Sequence, residues 1–392
     1  MTGGVTPAAL FADYLVSTYD QNVQVHLPQS ISTTVERHTI GMLCELLELQ
    51  GFDGTLTTGA TGSNILGLAC GRDFACSKIT GKSFSETGEG NVRVLVAGGH
   101  SSISKACSIL GIGRQNCLDL SAKDSIAKFD EGKLLSALRG SNTAFPQVDR
   151  SKGFVIVATF GEVNTGQFTT DIRRLKGLCE QLGGWLHIDA AFGILARIHP
   201  GKMGLAEGLE LADSIAFDGH KFLNVPYDCG VFLTRHMGVL SRVCGNTGAA
   251  YLTSAEGDYS PLNISLENSR RFRALPVYAS LMSLGKAGYV DIVERCCSLA
   301  KALGEEIIGS QKFVLLEPPV FNIVLFQAMG FETVEANERV KDVINATGEV
   351  YLSGTKWKGQ GALRIAICNH LVPANAEEEA SEILKILESV VS

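Results

Sequence analysis

The sequence has no Cys-x-x-Cys pair, no His-Glu-x-x-His and no cluster of cysteine with histidine. That excludes the common zinc arrangements, and no metal is expected. It has no block of lysine and arginine, and its net charge is −7. A protein that reads phosphate backbones needs the opposite sign, so no nucleic-acid partner is expected. The opening stretch "MTGGVTPAALFADYLVSTYD" lacks the basic start and long apolar core of a signal peptide. No apolar run reaches the roughly 20 residues of a membrane span, so no membrane partner is expected. The 11 cysteines are scattered and odd in number. That fits free thiols in a reducing compartment, and the expected location is the cytoplasm.

Three familiar site patterns also fail. "ITGKS" ends like a phosphate-binding P-loop, but that pattern needs glycine at position 76, where Cys76 stands. "LGIGRQN" starts like a dinucleotide fingerprint but lacks the third glycine. No Gly-x-Ser-x-Gly nucleophile elbow occurs.

What remains is an ordinary globular composition, 45% apolar and 19% charged over 392 residues. A chain of this length buries enough surface to need no disulfide staple. Up to about Gly51 the apolar spacing is helical. "GFDGTLTTGATGSNILGLACGRDFACSK" reads as a small-residue loop running into a helix. Strand-like runs then alternate with helical ones: "VRVLVAGG", "GFVIVATF", "WLHIDAAFG", "DSIAFDGHKF" and "CGVFLTRH" are the strands. This alternation predicts an α/β fold with a mostly parallel sheet. From about Ser269 a long helical stretch leads to a few strands and a closing acidic helix, a small C-terminal α+β domain. The expected divisions are a helical segment 1–50, a large domain 51–268 and a small domain 269–392.

Three places carry chemistry. The small residues of "TTGATGSN", before a helix starting near Asn64, would let a phosphate approach free N–H groups. The plainer reading is a tight turn capped by Ser63 or Asn64. Asp189 ends an apolar strand, where open parallel sheets gather ligands. A carboxylate buried there needs a cation, a proton or exposure; the plainer reading is a loop or capping aspartate. Lys221 follows the next strand behind His220. A desolvated lysine attacks carbonyls, while the plainer readings are a surface lysine and a structural histidine. Pyridoxal phosphate needs all three parts together: a phosphate cup, an acid opposite its ring nitrogen and a lysine for its aldehyde. His100, after a strand and opening a helix, would lie flat on the ring or simply contact the serines that follow it.

With those residues in place, "GTLTTGATGSNILGLACGRD", "VAGGHSSISKA", "WLHIDAAFG", "ADSIAFDGHKFLNVPYDCG", "SRRFRAL" and "ALRIAICN" resemble the pyridoxal-phosphate-dependent decarboxylases of the aromatic amino acid and glutamate decarboxylase group, group II. The resemblance implies an aminotransferase-like fold (fold type I) and a homodimer with shared active sites. It makes Lys221 the Schiff-base lysine and Asp189 the partner of the ring nitrogen. It puts Ala60 and Thr61 at the phosphate, with Ser214, Asp218 and His220 in a segment that also surrounds it. His100 matches the histidine stacked on the ring, and Ala191 the small residue on its other face. Tyr251 matches a loop tyrosine that, together with His100, protonates the α-carbon, and Arg364 an arginine that in some members binds the substrate carboxylate.

The chain departs from that pattern at Asp218, where asparagine is frequent. It departs again at Gly161-Glu162-Val163-Asn164-Thr165, where members have Gly-Thr-Thr, so that Asn164 or Thr165 is left to meet the ring hydroxyl. The segment before Gly51 is also shorter than the helical arm of the larger aromatic decarboxylases. The implied activity is decarboxylation of an L-amino acid to its amine and carbon dioxide. Transamination, carbon–carbon lysis, aldehyde-forming oxidative deamination and a catalytically impaired homologue are the alternatives.

Overall fold

A computed structural model describes residues 3–138, 152–246 and 260–391. Two helices open it, α1 (Pro7–Tyr19) and α2 (Ser32–Leu46). The large unit runs through β1 (Asp53–Thr57), α3 (Ala60–Thr80), the single turn α4 (Phe84–Thr87), β2 (Val92–Val96), α5 (Ser101–Ile109), β3 (Cys117–Asp119) and α6 (Glu131–Leu138). It continues with β4 (Gly153–Thr159), α7 (Ile172–Leu182), β5 (Trp185–Asp189), β6 (Ser214–Asp218), β7 (Gly230–Thr234) and α8 (Met237–Cys244).

These strands form one sheet in the order β1-β7-β6-β5-β4-β2-β3. Five of them, β6-β5-β4-β2-β3, are mutually parallel. Strand β7 runs antiparallel to both its neighbours, β1 and β6. Every residue of β4, β5, β6 and β7 is buried. That is why they read as continuous apolar runs rather than alternating ones.

Strand β1 differs from the sequence expectation, which made it part of a loop. Its "DGTLT" is poor in strand formers, and the partner strand supplies the order. Gly54 has a specific reason: a Cβ there would collide with the carbonyl of Phe232 on β7.

Helix α9 (Ala274–Gly309) follows, broken by non-helical backbone at Gly285 (φ 57°, ψ −174°). It packs against α1, α2 and α11 (Ala376–Val390). In sequence between α9 and α11 comes an antiparallel sheet in the order β10-β11-β9-β8, made of β8 (Phe313–Glu317), β9 (Ile323–Ala328), β10 (Ser353–Trp357) and β11 (Gln360–Ala366), with α10 (Val334–Ala346) against it.

The arginines of "SRRFRAL" tie these units together. Arg270 and Glu36 of α2 form an ion pair at 2.7 Å, with side chains 1% and 0% exposed. Arg270 also donates to the Leu56 carbonyl in β1 at 2.9 Å. Arg271 pairs with Asp13 of α1 at 2.6 Å, and Arg273 with Asp228 at 2.7 Å.

Candidate active site

The site lies where the parallel strands end. β5 ends at Asp189 and β6 at Asp218, three residues before Lys221. The facing helix α3 begins at Ala60, four residues before the expected start at Asn64. Gly59 precedes it at φ 157°. A Cβ on Gly59 would press on the His220 ring at 3.2 Å and Asp218 Oδ1 at 3.3 Å. Glycine therefore lets the positive end of α3, with Ala60 and Thr61 in its first turn, close against the end of β6.

Asp218 is the hub of this end. Its Oδ1 accepts the Ala60 N–H at 2.6 Å, and its Oδ2 pairs with Lys221 Nζ at 2.7 Å. Lys221 Nζ also stands 4.0 Å above the Phe192 ring. His220 Nδ1 accepts the Cys229 N–H at 3.1 Å, so its proton sits on Nε2, which faces Asp218 Oδ1 at 3.3 Å. Burial pushes the His220 pKa down, against the pull of Asp218. The His220 ring stacks on Tyr227 at 4.0 Å. The loop after Lys221 is pinned by Asn224, which is fully buried at φ 51°. Its amide donates to the Cys368 carbonyl at 3.1 Å, and its own carbonyl accepts the Thr6 N–H at 2.9 Å.

Asp189 is 3% exposed and has no ion pair among the described residues. Its Oδ1 accepts the Ala191 N–H at 3.2 Å, and its Oδ2 accepts from the Asn64 amide at 2.9 Å. Burial pushes its carboxyl above the usual range, against the Asn64 hydrogen bond and the charges of His100 and Lys221. His100 caps α5. Its Nδ1 accepts the Ser102 N–H at 3.2 Å and lies 2.9 Å from Ser102 Oγ. The histidine thus does meet one of the serines after it, Ser102, and its charge also acts on Asp189.

The structure gathers Ala60, Thr61, His100, Asp189, Ala191, Asp218, His220 and Lys221. It does not bring Ser214 to this cluster. Ser214 opens β6, four residues before Asp218, and its hydroxyl meets Trp185 and His187 in the core. Arg364, in β11, donates to the Val163 carbonyl at 2.5 Å. Burial lowers its pKa, against the charge of Glu162. Asn164 and Thr165 both donate to Glu162, at 3.0 and 2.9 Å. Tyr251 lies outside the described residues.

Residues 1–329 match the family model described as "Pyridoxal-dependent decarboxylase conserved domain". The chain belongs to the pyridoxal-dependent decarboxylase family. It is 26% identical over 362 residues to L-2,4-diaminobutyrate decarboxylase of Acinetobacter baumannii, covering 87% of this chain and 69% of that protein. It is 26% identical over 330 residues to acidic amino acid decarboxylase GADL1 of Bos taurus, covering 82% of this chain and 61% of that one. This family member thus spans between three-fifths and seven-tenths of the length of these two relatives. The crystal structure of Oryza sativa TDC with PLP and tryptamine superposes with a TM-score of 0.86 at 21% identity, covering 100% of this chain and 83% of that one. The fold is fold type I, and the family's cofactor is pyridoxal phosphate.

The residues present fit that cofactor. A buried carboxylate without an ion pair is costly, and a protonated ring nitrogen is the cation it lacks. The start of α3 offers a phosphate its first-turn N–H groups after Ala60, whose own N–H is held by Asp218 Oδ1. Lys221 supplies a primary amine, held 2.7 Å from Asp218 Oδ2. Sequence reasoning missed Asn64, Phe192, Asn224 and Tyr227. Asn64 was legible only as a helix cap. The start of α3 at Ala60 moves it one turn into the helix, where its side chain turns to Asp189.

Proposed function

We propose that this chain decarboxylates an L-amino acid to its amine and carbon dioxide, with Lys221 as the cofactor-holding lysine. The observation that carries this is Asp189, a buried carboxylate with no ion pair among the described residues, hydrogen-bonded by Asn64 of α3. The names of the relatives, diaminobutyrate and acidic amino acid decarboxylases, support the reaction class.

When bound, pyridoxal phosphate supplies an electron sink for the pair released when a bond at the substrate α-carbon breaks. Asp189 would hold a proton at the ring nitrogen. Ala60, Thr61 and His220 would hold the phosphate, with Asp218 beside them. His100 and Ala191 would flank the ring, and Lys221 would hold the aldehyde. Tyr251, with His100, would supply the proton that the α-carbon needs once carbon dioxide is lost. Arg364, which donates to the Val163 carbonyl, would bind the substrate carboxylate; a purely structural tie is the alternative for it.

The same reading includes a homodimer in a reducing compartment. All eleven cysteines are free, which supports the compartment. Among the described residues no helix is long and apolar enough to cross a membrane. The test is a screen of L-amino acids with the purified holoprotein, scoring carbon dioxide, amine, keto acid and aldehyde. Equal carbon dioxide and amine is the expected result, lost in Lys221→Ala. Keto acid or aldehyde in their place would overturn the reaction class, and undiminished turnover in Lys221→Ala would overturn the role of the lysine.

A further inference from the structure

A chain of buried hydrogen bonds runs from Asp189 away from the site. Asp189 is an acceptor, so Asn64 turns its NH2 to Oδ2 at 2.9 Å. The Asn64 carbonyl oxygen then faces His187 Nε2 at 2.9 Å, and that nitrogen must carry the proton. His187 Nδ1 is therefore an acceptor, and it takes the Ser214 hydroxyl at 2.8 Å. Ser214 Oγ in turn accepts the Trp185 indole N–H at 2.9 Å. Indole only donates, which leaves the Ser214 hydroxyl proton available for His187 Nδ1. A branch leaves at Asn64. Its second N–H goes to Ser102 Oγ at 3.0 Å, freeing the Ser102 proton for His100 Nδ1.

Helix α3 is shaped to hold this chain. A Cβ at Gly67 would collide with the His187 ring, and one at Gly71 would collide with Val155 Cγ2 and sit 3.0 Å from the Trp185 indole. Asn64, Gly67 and Gly71 lie on one stripe of α3. Glycine inside a helix costs about 1 kcal/mol relative to alanine. Two on that stripe mark a groove kept open for the His187 and Trp185 rings. His187, Asn64 and Ser214 are each 0% exposed.

We infer that Asn64, His187 and Ser214 are positioning residues, which hold the Asp189 carboxylate as an acceptor aimed at the cofactor ring nitrogen and so keep that nitrogen protonated. None of them touches the cofactor; they act through Asp189 and, by the branch, through the tautomer of His100. The inference rests on Asp189 being the ring partner.

The experiment reconstitutes the protein with pyridoxal phosphate carrying nitrogen-15 in its ring. It follows the ring-nitrogen shift with pH, together with the rate of cofactor dissociation. His187→Leu and Asn64→Ala should lower the ring-nitrogen pKa by about one unit, a tenfold change in protonation. Both should release cofactor several-fold faster. His187→Gln, which restores a donor to Asn64, should recover most of the wild-type titration. Ser214→Ala removes one oxygen only and guards against misfolding of the larger changes; a smaller shift of the same sign is expected from it. Wild-type titration in all of these variants, with the shift present in Asp189→Asn, would overturn the inference and leave the role of Asp189 intact. An unchanged ring nitrogen in Asp189→Asn would overturn the role of Asp189 itself.

Discussion

At the scale of single residues, Asp218 is the side chain least expected beside a phosphate. Its Oδ1 already holds the Ala60 N–H, the first donor of α3, and its Oδ2 holds Lys221. A carboxylate next to a phosphate dianion is a like-charge contact, and like charges in a site disfavour each other. Asp218→Asn keeps an acceptor for the Ala60 N–H and removes the charge. The expected outcome is cofactor binding tighter by about threefold to tenfold, worth about 1 kcal/mol at a partly screened site, read from fluorescence titration of the apoprotein. Weaker binding would mean that the charge on Asp218 serves Lys221 more than it opposes phosphate. Arg270 gives a second test at this scale. Its ion pair with Glu36 is almost fully buried, so Arg270→Met leaves a carboxylate without its cation. A stability loss of about 3–5 kcal/mol is expected from denaturant unfolding, and Glu36→Gln in the same background should restore part of it.

At the scale of elements, β4, β5 and β6 were legible because strands buried on both faces leave apolar runs that no loop carries. Their carboxyl ends located Asp189 and Lys221 without any coordinates. Strand β1 was not legible, since "DGTLT" has little strand character of its own and is ordered by pairing with β7. The start of α3 was misplaced for a related reason. Gly59 and Gly62 look like loop, yet they are there to let β6, the His220 ring and Thr57 come close. With the helix start four residues late, Asn64 passed for a cap and the hydrogen-bond chain behind Asp189 stayed hidden. That chain has a consequence for β5. Burial pushes the His187 pKa down to about 3, against about 6.5 for a free histidine. Below pH 6.5 the unfolded chain takes a proton that the folded chain refuses. Stability is therefore full above about pH 6.5 and falls as pH drops towards 3, by roughly 1 kcal/mol per pH unit. Unfolding midpoints between pH 7 and 5 should show this slope, and His187→Leu should flatten it.

At the scale of the whole molecule, α1 presents an exposed apolar face. Leu10, Phe11 and Tyr14 are 39%, 64% and 60% exposed, and their spacing places them together on the helix. A contiguous apolar patch of this kind marks an interaction surface. The helix is not loosely attached: Asp13 pairs with Arg271, and Thr6, just before it, donates to Asn224 in the loop that follows Lys221. A partner seated on α1 would therefore stiffen the same backbone that holds the lysine. If that partner is a second copy of this chain, Phe11→Glu with Tyr14→Glu should convert a dimer into a monomer in sedimentation velocity. The monomer should also lose cofactor faster, because the Thr6–Asn224 link is then held by one chain alone. A double variant that stays dimeric would move the interface off α1. One that becomes monomeric with wild-type cofactor retention would show that α1 joins the subunits without reaching the Lys221 loop.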